Sequence, residues 1–140
     1  MFSAEVYGAR RKRLAEFVKS GVMLFLGNEE SPRNYQDNVY PFRQDSSFLY
    51  FWGLSRPSLA AVIDIDEGVE ALFGDDLTSE EMIWFGQHVS FREAAAEIGI
   101  QHIYPFDHLE SVIKKSFRRK DPCIFYRSTR LATALRFRKC

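Results

Sequence analysis

Cysteine is scarce in this chain of 140 residues, with Cys123 and Cys140 its only two. Cys123 lies in the short apolar run Cys123-Ile124-Phe125-Tyr126, where a free buried thiol is the ordinary arrangement, and a cysteine at position 140 is a poor staple, so no disulfide is expected. Glycine and proline are also few, 8 and 5, against 46% apolar residues, which excludes disorder and low-complexity architecture. Net charge is lacking too: 19 Lys+Arg balance 19 Asp+Glu. Phosphate affinity is built from surplus cation, so general nucleic-acid binding is not expected. No apolar stretch approaches the roughly 18 residues of a membrane span, and Arg10-Arg11-Lys12-Arg13 arrives before any apolar core of a signal peptide. The expectation is a soluble, cytoplasmic, single globular domain with no membrane partner.

Chemistry-bearing patterns are missing as well. His88, His102 and His108 show no paired metal-ligand spacing, and no Cys-His set surrounds them. A glycine-rich phosphate cradle is absent, as is a Gly-x-Ser-x-Gly elbow, so nucleotide hydrolysis and serine-esterase chemistry have no support. Asp75-Asp76 follows an apolar strand and could begin a metal site. A site needs three or four convergent ligands, however, and the pair is better read as a turn leading to the helix cap Thr78. No catalytic and no metal-ligating residue is assigned.

What the chain has in excess is aromatics: 13 Phe, 6 Tyr and 2 Trp. They are distributed over an alternation of helix and strand patterns. Ser3 to Ser20 reads as a helix capped by Ser3, with Tyr7, Leu14, Phe17 and Val18 on one stripe, and Gly21 stops it. Lys12, Glu16 and Lys19 point away from that stripe, while Arg10 and Arg11 fall within roughly 60° of it and are expected to snorkel or pair with acids at a contact surface. Val22 to Leu26 is a continuous apolar run of strand length, the pattern of a strand covered on both faces. From Gly27 to about Ser46 neither period appears, and a segment of about 20 residues without structure of its own is uncommon unless functional. Two strands follow, Leu59 to Ile65 and Val69 to Phe73, joined by the hairpin turn Asp66-Glu67-Gly68. Capping-box spacings start two helices, Thr78 with Glu81 and Ser90 with Glu93; Gly99 ends the second. His102 to Tyr104 reads as a strand, Asp107 to Lys120 as a helix with Leu109, Val112, Ile113 and Phe117 inward, and Cys123 to Tyr126 as the last strand after Pro122. The predicted class is α/β, a mixed sheet flanked by helices.

Two runs exceed what a core can absorb. Met82-Ile83-Trp84-Phe85 is helical, and four consecutive residues on a helix spread over about 300°, so at least one large side chain must point outward. Either the helix is wedged between two layers, or Trp84 serves a protein contact, where aromatic anchors are enriched. The same reasoning holds for Phe48-Leu49-Tyr50-Phe51-Trp52.

The segments Leu24-Phe25-Leu26-Gly27-Asn28 and Asp37-Asn38-Val39-Tyr40-Pro41-Phe42-Arg43-Gln44-Asp45-Ser46-Ser47-Phe48-Leu49-Tyr50-Phe51-Trp52-Gly53-Leu54 resemble the N-terminal domain of aminopeptidase P, an Xaa-Pro aminopeptidase of the creatinase/prolidase type. Later pieces keep the order: Pro57 to Asp64, Leu72-Phe73-Gly74, and Glu81 to Gly86 with its Ile-Trp-Phe-Gly core. The resemblance covers about Tyr7 to Tyr126, giving a domain over 1–127 and a tail over 128–140 read as a truncation or cloning junction. It implies a ribonuclease-H-like creatinase/prolidase N-terminal fold. It places the chemistry in a following pita-bread domain, where two Asp, one His and two Glu hold two divalent metals, commonly manganese, that activate water to cleave the bond before proline. Such a domain needs roughly another 200 residues, so this fragment is expected to be inert, with no cofactor of its own.

The resemblance also implies partners: the protein's own catalytic domain, further copies in a dimer or tetramer, and a peptide substrate with proline second. In tetrameric relatives the Trp of Ile-Trp-Phe-Gly reaches a neighbouring subunit's active site; here that is Trp84. Some relatives carry Arg-Gln-Asn-Ser-Asp-Phe, whose acid orients a substrate-binding group. Here Ser47 holds the acid's position and Asp45 stands where those relatives have Asn, so Arg43, Asp45 and Ser47 are carried over as residues of the substrate-site rim. The alternative is a stand-alone protein-interaction module of the same fold without peptidase activity.

Overall fold

The computed structural model describes residues 2–30, 33, 41–86, 89–118 and 123–126. Expectations that rest on Asp37 to Tyr40, His88, Arg119, Lys120, Pro122 and the tail 128–140, or on the side chains of Phe85, Phe117 and Cys123, lie outside the described residues.

The run Val22-Met23-Leu24-Phe25-Leu26 forms β1 (Val22–Leu26), flanked on both sides in a five-stranded sheet of order β4-β3-β2-β1-β5. Its neighbours are β2 (Ala60–Asp64), antiparallel, and β5 (Cys123–Tyr126), parallel. β2 turns through the predicted hairpin into β3 (Val69–Phe73), and Asp64 Oδ1 accepts the Glu67 N–H at 3.1 Å inside that turn. β4 (His102–Tyr104) lies parallel to β3 at the edge. The sheet is therefore mixed, as expected.

Strand alternation divides the core into two. Met23, Phe25, Ala61, Ile63 and Leu72 face one cluster; Val22, Leu24, Ala60, Val62, Ala71 and Phe73 face the other. The first cluster is covered by α1 (Ala4–Val18), α2 (Ser46–Trp52) and α4 (Phe91–Glu97), which bring Tyr7, Phe48, Trp52, Phe91, Ala94 and Ala95. The second is covered by α5 (Leu109–Arg118), entered through a 3-10 turn over Phe106–His108, with Leu109 and Ile113 inward and Val112 packed at the margin. The result is a helix, sheet, helix sandwich.

α1 departs from its sequence reading in three ways. Ser3 sits at the N-cap, but its side chain makes no capping bond; its carbonyl accepts from Val6 and Tyr7 instead. The helix ends at Val18, and Lys19, with φ of 75°, turns the chain before Gly21 is reached. Phe17 is exposed, whereas Arg11 is buried. Helical arithmetic supplies the reason: Phe17 lies about 80° from Tyr7 around the axis, at the edge of the stripe, and Arg11 about 40°.

Arg11 then carries the tie between layers. Its Nε donates to Glu70 Oε2 on β3 at 2.9 Å, Nη1 to the Phe51 carbonyl at 2.9 Å and Nη2 to the Ile98 carbonyl at 3.1 Å, while its guanidinium lies 4.9 Å from the centre of a Trp52 ring. Arg10 stays at the surface over the rings of Tyr50 and Phe2 and donates to the Tyr50 carbonyl. The two arginines predicted near the stripe thus both find partners, one acid and several carbonyls.

Candidate functional site

The described ends of the segment without period, 27–30 and 41–46, meet around one buried amide. Gln44 is 2% exposed; its Oε1 accepts from Asn28 N at 2.7 Å and Asp45 N at 3.0 Å, and its Nε2 donates to the Arg56 carbonyl at 2.8 Å. Asn28 returns a second bond, its Nδ2 donating to the Arg43 carbonyl at 2.9 Å, and the Gly27 N–H reaches the Leu59 carbonyl at 2.8 Å. The exit of β1, the entry to α2 and the approach to β2 are thereby held together.

α2 grows directly from this junction. Asp45 is its N-cap, Oδ1 accepting from Ser47 N at 3.0 Å and Phe48 N at 3.1 Å, which satisfies two of the amides a helix start leaves open. Phe48 and Trp52, four residues apart, face the core, whereas Leu49 and Tyr50 are exposed. Gly53 closes the helix with φ of 67°, in the left-handed region that favours glycine, and a Cβ there would overlap the Tyr7 ring.

Arg43, Asp45 and Ser47 are therefore neighbours at the start of α2. Arg43 is exposed, Asp45 and Ser47 half-buried. The acid at Asp45 is engaged as a helix cap through Oδ1, a structural duty that the motif alone does not announce.

Trp84 stands on a separate element, α3 (Ser79–Phe85). Its start is the predicted capping box: Glu81 Oε2 accepts from Thr78 N at 2.7 Å and Thr78 Oγ1 at 3.0 Å, and Thr78 Oγ1 accepts from Glu81 N at 3.3 Å. The Thr78 backbone bond, and then the hydroxyl, hold the Glu81 carboxyl below the ordinary glutamate value. From this cap the helix presents Met82, Ile83 and Trp84 to solvent, with Ile83 82% and Trp84 84% exposed. No described side chain of α3 joins either core cluster, which removes the wedged-helix explanation for these three residues.

Two residues that were not among the site candidates, although the first lies within the quoted family motif, complete the region. Gln44 is one; Arg56 is the other, its Nη2 3.9 Å from Asp76 Oδ1 and its guanidinium 5.7 Å from the centre of the Phe91 ring. Asp76 also accepts the Phe91 N–H at the start of α4, and Asp75 accepts the Phe106 N–H at 3.4 Å. The paired acids thus serve the turn. Among the described residues no group of three or more His, Cys, Asp or Glu converges to hold a metal. No helix among the described residues is long and apolar enough to cross a membrane.

Comparison with known proteins agrees with this geometry. Human Xaa-Pro dipeptidase is 29% identical over 118 residues, covering 77% of this chain and 23% of its own. The Xaa-Pro aminopeptidase of Escherichia coli K12 is 29% identical over 112 residues, covering 76% and 25%. Among solved structures, aminopeptidase P from E. coli with the inhibitor Pro-Leu superposes with a TM-score of 0.70 at 25% identity, over 82% of this chain and 27% of that one. The chain spans about a quarter of the length of these relatives. The family described as aminopeptidase P, N-terminal domain, matches residues 7–125, and with the mixed sheet and flanking helices in the same arrangement the chain belongs to that family.

Proposed function

We propose that this domain is the non-catalytic N-terminal part of a cytoplasmic, manganese-dependent Xaa-Pro aminopeptidase that removes a residue preceding proline, with the domain itself occupying 1–127. In this reading Arg43, Asp45 and Ser47 border the substrate site and Trp84 contacts a neighbouring subunit of a dimer or tetramer. The observation that carries it is α3: a capped helix whose Met82, Ile83 and Trp84 are all exposed, none of the three joining either core cluster. Exposed aromatics of this kind are anchors at protein contacts. The names of the relatives, an Xaa-Pro dipeptidase and an Xaa-Pro aminopeptidase, support the substrate class.

Two measurements test the reading. The 140-residue chain incubated with manganese and an Xaa-Pro peptide is expected to give no cleavage; turnover above a blank refutes the inert assignment. In the polypeptide where this domain is continuous with its catalytic domain, Trp84→Ala is expected to raise KM or lower kcat, and unchanged kinetics remove the subunit role. A reading frame without a metal-ligating domain beyond position 140 would favour the stand-alone interaction module.

A further inference from the structure

Gln44 is an expensive residue to bury. An amide in a core costs free energy unless every polar atom is bonded, and a leucine of similar volume would serve packing alone. Here both ends of the amide are bonded, and all three partners are main-chain groups of different segments: Asn28, Asp45 and Arg56. Its seat is matched to it, because a Cβ on Gly27 would stand 3.0 Å from Gln44 Nε2 and 3.1 Å from Oε1. Its two sequence neighbours are the rim candidates, Arg43 exposed on one side and the cap Asp45 on the other. We propose that Gln44 is a positioning residue: its amide fixes the backbone on which Arg43 and Asp45 are mounted, and through the Asp45 cap the place of Ser47, without touching substrate itself. This rests on the reading that the start of α2 borders the substrate site.

The test uses the peptidase in which this domain is continuous with its catalytic domain, an Xaa-Pro peptide, and a temperature at which each variant is folded by circular dichroism. Gln44→Leu keeps volume and removes all three bonds. It is expected to raise KM about tenfold with kcat nearly unchanged, the pattern of substrate binding lost equally in the ground and transition states. Arg43→Ala is expected to raise KM comparably, and the double variant to add less than about twofold, since both act through one element. A merely structural glutamine would lower stability without this split and without the non-additivity. Gln44→Glu provides a variant that keeps the acceptor for Asn28 and Asp45 but loses the donor to Arg56, and is expected to raise KM by less than Gln44→Leu. If Arg43→Ala raises KM and neither Gln44 variant does, the positioning role is overturned while the rim reading stands. If Arg43→Ala and Ser47→Ala leave KM unchanged, the rim reading fails and the positioning role falls with it.

Discussion

Replacing Arg11 by methionine tests whether the guanidinium, rather than the apolar contacts around it, holds α1 to the sheet. Arg11 is 2% exposed and Glu70 32%, so the two partners respond differently to the loss of the other. Without Arg11, the carboxylate of Glu70 rehydrates at little cost. The Ile98 carbonyl, which sits in a buried bond, loses its donor outright, and the Phe51 carbonyl loses one in a partly buried setting. An unsatisfied buried acceptor costs about 1–3 kcal/mol, and two carbonyls lose their donor here. Methionine recovers part of this through its own burial, so a net loss of about 3 kcal/mol is expected. Domains of this kind are held by about 5–15 kcal/mol, so the change is a large share. Urea unfolding followed by circular dichroism reads it: with a slope of about 2 kcal/mol/M the midpoint falls by about 1.5 M. Glu70→Gln, which can still accept from Nε, is expected to cost less than Arg11→Met, and the difference between them to be insensitive to salt. An Arg11→Met midpoint indistinguishable from the parent, or a Glu70→Gln loss exceeding that of Arg11→Met, refutes the reasoning.

Four further outcomes follow from the same geometry. The two tryptophans differ fully in exposure, Trp52 at 0% and Trp84 at 84%. Trp84→Phe is expected to remove the red-shifted, acrylamide-quenchable emission and to change stability by less than about 0.5 kcal/mol; remaining fluorescence that quenches as freely as before contradicts the burial of Trp52. Gly53→Ala combines a left-handed backbone with a clash against Tyr7, and is expected to lower stability by at least about 2 kcal/mol in the same urea assay; an unchanged midpoint rules out the cap as described. Ser90→Ala removes the α4 cap, whose Oγ accepts from Glu93 N at 3.2 Å, and is expected to cost about 1 kcal/mol. Glu81 has a folded pKa below its unfolded one, so the α3 capping box contributes above the ordinary glutamate range and is lost as pH falls through the lowered value. The protection of the Thr78 amide, its exchange rate relative to the intrinsic rate at the same pH, is expected to fall on acidification through that window, and Glu81→Gln to abolish the step.

The parts of the fold that were legible in the sequence are those where one physical signal acts alone. Val22 to Leu26 could be read as a doubly covered strand because an uninterrupted apolar run has no solvent face to offer. Both capping boxes were legible because two residues at fixed spacing satisfy each other. Outward exposure on α3 followed from helical arithmetic, although the sequence required only one outward residue where three are found. α2 was legible only in part: the spread of Phe48-Leu49-Tyr50-Phe51-Trp52 called for an outward residue, and Leu49 and Tyr50 are exposed, but its bounds were not readable because their signals, Asp45 before and Gly53 after, are single residues. Gln44 was hidden for a different reason. A polar residue in an irregular segment looks solvated, and only the convergence of Asn28, Asp45 and Arg56 around it, set by tertiary structure, reveals it as core.

The place of β5 beside β1 has a consequence for how the domain must be made. Val22 pairs with Cys123 and Phe25 with Tyr126, partners about a hundred residues apart, so that edge of β1 is the last part of the sheet to be covered. Until then, Val22-Met23-Leu24-Phe25-Leu26 is an apolar edge strand without charge or proline, the type of segment that templates association between chains. During synthesis from the N-terminus that edge waits for nearly the whole domain to emerge. The final strand is therefore a guard against aggregation as much as a fifth member of the sheet.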